Sequence, residues 1–200
     1  MDDRKDTYQG LLIASWISAI ALVLLCDLLF PFEYIGYEMH ANSHVFVGAS
    51  EVAVQQVITP ALLVLVPILQ VVSIIFAVVA ATKKTRESLR FSRSIMLVLK
   101  LGLIPFFLMG GIVILAMFIF GLHPLFAVLG WGLAAIMALM GWTILLTGSS
   151  WAIATAIQLY KMGHISSGEL AAHIILQIFF VADVVDAIVI FVRSRSLASF

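Results

Sequence analysis

Only one cysteine, Cys26, occurs in the chain, and it sits inside an apolar run, which excludes a disulfide framework and a thiol-rich metal site. Charge is scarce as well. Eleven Lys and Arg face eleven Asp and Glu, 11% of the sequence, where soluble domains carry about 25%. The resulting zero net charge removes any whole-molecule argument for nucleic acid as a partner. No Walker loop, HExxH, Gly-x-Ser-x-Gly or cysteine pair occurs, so no catalytic site, cofactor or metal is expected. What the chain does have is apolar residues, 63% of the whole, with a mean hydropathy of +1.16. That composition predicts an integral membrane protein, and 200 residues leave room for one helical domain over 1–200.

The apolar runs predict an all-α, polytopic membrane helical bundle. Four spans are expected at about 11–30, 51–81, 94–120 and 125–160, with a C-terminal fifth helix at 168–192 that also crosses. The first run is longer than the core of a secretory signal and no small-x-small site follows it, so it is read as retained. Ser50 is the expected N-cap of the second span, with Pro60 and Pro67 bending it. Gln70 and Ser73 below them are expected to bond to neighbouring helices. The third span carries Lys100 about two turns in, near enough to one face to snorkel. Gly121–Pro124 reads as a short turn, and Thr147–Ser150 as a bend or unwound turn in the fourth span.

Residues 31–50 contain no Lys or Arg and read as the longest loop, external and polar. His40 and His44 within it stand four apart but have no third ligand of defined spacing, so a surface loop is the preferred reading over a metal site. By contrast, residues 82–94 hold Lys83, Lys84, Arg86, Arg90 and Arg93. The positive-inside rule makes that segment cytoplasmic, and the N-terminus with it. Lys83, Arg86, Arg90 and Arg93 also follow helical spacing, so a helical extension could turn a basic face toward anionic lipid headgroups.

The last helix is the most informative stretch. Ser166 and Glu169 have the spacing of a capping box, and Gly163 upstream suits a left-handed residue closing the preceding helix. From Gly168 to Val192 a continuous helix would be ~37 Å long, enough to cross. Along it, Glu169, His173 and Gln177 form an i, i+4 row beside Asp183 and Asp186. Each aspartate costs up to ~3 kcal/mol near the bilayer centre, so the stripe must face protein or water. If the helix crosses, Asp183 lies ~22 Å along it, too deep to meet Lys100, whose nearer partner would be Glu169 or His173. Asp183 and Asp186 would then reach the level of Asp27 and form with it a shared, partly hydrated pocket; hydrogen bonding to polar groups of neighbouring helices is the alternative.

The segments Ile95–Phe107, Leu145–Ser166 and His173–Arg195 resemble a family of small uncharacterised bacterial integral membrane proteins. The resemblance covers roughly the C-terminal half, with nothing comparable in the first 90 residues. It implies a bacterial membrane location, and it brings no activity and no site residues.

Function is therefore narrowed to classes. The lack of motifs favours a non-enzymatic accessory, immunity or sensory subunit in the cell membrane, acting through lipid, another membrane protein or a homo-oligomer. The alternative is a small ion- or proton-coupled transporter using the intramembrane carboxylates, with Lys100, His173 and Glu169. A lipid-acting membrane enzyme is a further alternative, weakened by the absence of a third convergent ligand beside the paired carboxylates.

Overall fold

The computed structural model describes residues 3–42 and 59–198. Its helices are α1 (Asp3–Asn42), α2 (Thr59–Thr82), α3 (Arg86–Gly102), α4 (Ile104–Phe120), α5 (Ala127–Lys161), α6 (Ser167–Leu176) and α7 (Phe180–Ala198). No strand occurs among the described residues. The all-α bundle is thus present, with four stretches long and apolar enough to cross a membrane: Gln9–Leu28, Pro60–Thr82, Arg86–Phe120 and Ala127–Lys161.

Several boundaries depart from the sequence reading. α1 continues through Pro31 and Gly36 to Asn42, so much of the expected 31–50 loop is helical. A proline removes one hydrogen bond and can leave the rest of a membrane helix intact. His44, Ser50 and Glu51 lie outside the described residues. The basic segment is also shorter as a linker: only residues 83–85 are non-helical, and Thr85 caps α3 by accepting from the Ser88 amide at 3.2 Å. Lys83 therefore precedes the helix that carries Arg86, Arg90 and Arg93.

The expected third span is two helices. α3 ends at Gly102, Leu103 adopts φ −83° and ψ 0°, and α4 starts with Pro105 in its first turn. Pro105 has no amide to give the Leu101 carbonyl and its ring crowds that turn, so the break falls where the proline dictates. The unwound turn expected as one reading of Thr147–Ser150 does not occur. Thr147, Ser149 and Ser150 each direct a hydroxyl to a carbonyl three or four residues back, which satisfies them inside a continuous α5.

The largest difference is at the C-terminus. The expected 168–192 span is broken at Gln177–Phe179, where the amides of Ile178 and Phe179 reach back only three residues, at 3.1 and 3.3 Å. Ser166 and Glu169 form the capping box that starts α6, and Gly163 has φ +77°. α7 then runs back along the bundle. Arg193 near its end bonds to Glu169 Oε1 (2.9 Å) and to the His164 carbonyl (3.2 Å) at the start of the same excursion. Arg93 of α3 lies over the Phe191 ring at 5.1 Å. α6 and α7 are therefore a re-entrant hairpin that enters and leaves at one end of the bundle. The α2–α3 linker lies at that same end, since Lys161 Nζ donates to the Ala81 carbonyl at 2.8 Å.

The bundle is apolar outside and partly polar inside. Ile13, Val64, Leu108, Leu139 and Val192 are all about 60% exposed, as befits side chains whose solvent is hydrocarbon. Ser73, Ser92, Thr147, Ser149, Thr155 and Gln158 are fully buried. Trp151 is buried as well and donates from Nε1 to Ser73 Oγ (2.9 Å), tying α5 to α2. Phe91 packs edge-on to both Trp151 and Trp16, adding α3 and α1 to the same layer.

Candidate functional site

The tip of the hairpin delivers two carboxylates into the bundle. Asp183 and Asp186 are three apart on the first turns of α7, so they share a face, and both are buried. Asp183 forms a direct ion pair with Lys100 of α3, itself only 7% exposed. Lys100 Nζ also donates to Ser149 Oγ of α5 at 3.0 Å. Ser149 Oγ in turn lies 3.0 Å from Asp183 Oδ1, 3.0 Å from the Leu145 carbonyl and 3.2 Å from the Gln177 carbonyl. Its single proton serves one of these acceptors at a time while its lone pairs receive Lys100.

Asp186 has its own partners. His173 Nδ1 lies 2.6 Å from Asp186 Oδ1, so one proton sits between them, and Gln177 Nε2 donates to Asp186 Oδ2 at 2.6 Å. Gln177 consequently touches both groups: its amide holds Asp186 and its backbone carbonyl meets Ser149. The result is two hydrogen-bonded groups, Lys100–Asp183–Ser149 and Gln177–Asp186–His173, which adjoin at Gln177. One turn before His173, the Glu169–Arg193 pair is half-exposed. Glu169 is held below the ordinary carboxylate range first by the Ser166 amide and then by the Arg193 guanidinium.

These placements revise the expected groupings. Lys100 does pair with Asp183, because the chain turns back at Gln177–Phe179 instead of carrying Asp183 to the far side. Glu169 belongs to the capping box and Arg193, not to Lys100. Asp27 does not share a hydrogen bond or ion pair with Asp183 or Asp186 among the described residues. It accepts from the Phe106 amide at 3.2 Å. That amide is one of the orphan donors that the break at Leu103 leaves in the first turn of α4, so Asp27 caps α4 from α1. Of the basic set, Lys83, Arg86 and Arg90 are exposed, whereas Arg93 is partly buried against Phe191.

Ser149 and Gly148 have no place among the site residues expected from sequence, yet both shape the site. A Cβ on Gly148 would lie 3.4 Å from Lys100 Cε, an ordinary van der Waals contact, so α5 and the lysine stem pass close together at this glycine. Their visible signal is the run of small polar residues Thr147–Ser150 in an otherwise apolar helix. Beside the ion pair is a cavity of about 120 Å³, bordered by Lys100, Asp183 and Gly148 and otherwise by side chains such as Leu103, Phe107 and Leu145. No group of three or more metal-ligating side chains occurs among the described residues.

No curated protein and no solved structure matches the chain. One family model does, over residues 11–196, so the likeness extends through the N-terminal half as well as the segments that carried the first resemblance. The chain belongs to that family, DUF6652, a family of unknown function.

Proposed function

We propose that this is a non-enzymatic, multi-pass protein of the bacterial cell membrane that relays a proton between one face and the middle of its bundle, as the coupling step of transport. The observation that carries this reading is the pair of buried titratable groups, His173 with Asp186 and Lys100 with Asp183 and Ser149, which Gln177 holds side by side through its side-chain amide and its backbone carbonyl. Chains of Asp, His and Lys inside apolar helices are costly, and proton relays are a recurrent use of them. A helix broken at the depth of the charged groups is likewise a feature of transporter sites. The accessory, immunity or sensory reading rests on missing motifs, whereas transport rests on a particular arrangement of side chains.

In this reading the N-terminus, the α2–α3 linker and the hairpin opening face the cytoplasm, because Lys83, Lys84, Arg86 and Arg90 gather at that end. Lys83, Lys84 and Arg86 of that group are exposed and available to anionic headgroups. The test is proton flux into proteoliposomes under an imposed potential, followed with an entrapped pH-sensitive dye. Flux above that of protein-free vesicles is expected, falling to background in Asp183→Asn and in Asp186→Asn. Wild-type protein indistinguishable from empty vesicles at both signs of potential would sink the proposal.

A further inference from the structure

A second cavity, of about 520 Å³, lies between α2, α4 and α5, on helices other than the carboxylate-bearing hairpin. Its size is that of a small-molecule site, roughly 300–1,000 Å³. Glycines make the room: Gly111 of α4 and Gly141 of α5 both border it, and a Cβ at either would meet no atom within 4 Å. Among the described residues, no Asp, Glu, Lys, Arg or His borders it. A charged occupant would therefore have no partner, which makes an uncharged one the favoured guest.

Among the described residues, the wall has one buried polar side chain with nothing to bind. Gln70 lies in the middle of α2, is only 8% exposed, and makes no hydrogen bond among the described residues. An amide at that depth has no water to turn to, and leaving it unsatisfied is costly. Of the other polar groups on the wall, Thr143 Oγ1 donates to the Met140 carbonyl at 2.7 Å, and the indole of Trp142 belongs to a half-exposed side chain. Pro67, one turn from Gln70, also provides no amide to the Leu63 carbonyl, so the wall lacks a helical hydrogen bond next to the amide.

We infer that this cavity binds an uncharged, lipid-soluble molecule that carries an alkyl or isoprenoid body and one hydrogen-bonding group, which the Gln70 amide receives. Entry is from the bilayer, because the bordering helices expose apolar side chains outward. The site is independent of the proton relay: loss of one leaves the other testable.

The experiment measures equilibrium binding of tritiated 1-decanol to the purified full-length protein in detergent, with n-decane and decanoate as comparison probes. One saturable decanol site per chain is expected, with decanoate weaker. Gln70→Leu should weaken decanol about fivefold, as loss of one hydrogen bond does, and leave n-decane unchanged. Gly141→Leu and Gly111→Leu, which add a side chain beside the cavity from α5 and from α4, should each abolish binding of both apolar probes. Non-saturable uptake that persists in both glycine variants would mean mere partitioning and would overturn the site. Equal effects of Gln70→Leu on decanol and decane would overturn the role of the amide. If a glycine variant loses the parent's elution volume, the other glycine position decides, and if both do, the Gln70 comparison decides.

Discussion

Lys100 of α3 and Asp183 of α7 form a buried ion pair, and Ser149 of α5 holds a hydrogen bond to each of them. Three helices are therefore fastened at a single point, and α7 is fastened there by its tip. Removing either charge alone leaves its counterpart stranded among apolar groups.

Lys100→Met should therefore be strongly destabilising, by about 3–5 kcal/mol, the usual result of breaking a buried pair on one side. The double variant Lys100→Met with Asp183→Asn removes both charges and should recover a large part of that loss. Denaturant unfolding of the protein in micelles measures both. A double variant as unstable as the single one would show that the pair contributes through shape and not through charge.

Asp27 should behave as a helix cap. Replacing it with Ala removes the acceptor of the Phe106 amide and should cost about 1 kcal/mol. Asp27→Asn retains an acceptor oxygen and should lose less. Proton flux should be the same in Asp27→Asn as in the parent, since Asp27 belongs to neither of the two groups that adjoin at Gln177. Loss of flux with unchanged stability would contradict that assignment.

Glu169 makes the hairpin opening sensitive to acid. Its carboxyl is held below the ordinary range by the Ser166 amide and by Arg193. A depressed folded pKa means that the contribution is complete above the unfolded value, about 4.3, and is lost as pH falls through the lower folded value. The expected result is a thermal midpoint advantage of wild type over Glu169→Gln that is constant near neutrality and vanishes in acid. An advantage that persists unchanged below that window would rule out the carboxylate as its source.

The hairpin also predicts a labelling pattern. With the buried Cys26 replaced by Ala, single cysteines at Ser167 and Ala198 should react from the same side of oriented vesicles. A cysteine at Leu122, in the turn between α4 and α5, should react from the opposite side. Ala198 reacting together with Leu122 would mean that the C-terminal segment crosses as one helix.

Much of this architecture is legible in local chemistry. Ser166, Glu169 and Gly163 announce the start of α6 because capping and left-handed closure depend only on neighbours in sequence. The turn at Gly121–Pro124 and the four apolar runs are similarly local. The break at Gln177–Phe179 is not, since LQIFFV contains neither proline nor glycine and a continuous helix has the length to cross. What favours the break is tertiary: it lets Asp183 reach Lys100, and Asp186 reach His173 and Gln177. Two unpaired aspartates in a straight span would have had no such partners at matching depth. Pro105 carries a local signal for the break inside the expected 94–120 span, but the capping of the helix after it by Asp27 depends on α1 lying alongside. The same limit hid Ser149, whose role arises only when α3 and α7 meet it.

The re-entrant hairpin also imposes an order on biogenesis. α6 has ten residues, about 15 Å of helix, and cannot cross a bilayer by itself. α7 brings two carboxylates that lipid would reject without Lys100, Ser149, His173 and Gln177 to receive them. The hairpin is therefore a guest of a bundle already inserted, and it follows the four long apolar stretches in chain order. A chain that terminates before residue 183 keeps the long helices but leaves the ammonium of Lys100 without its carboxylate, with the Ser149 hydroxyl as its remaining partner, so truncated products differ from longer ones by an uncompensated cation inside the bundle.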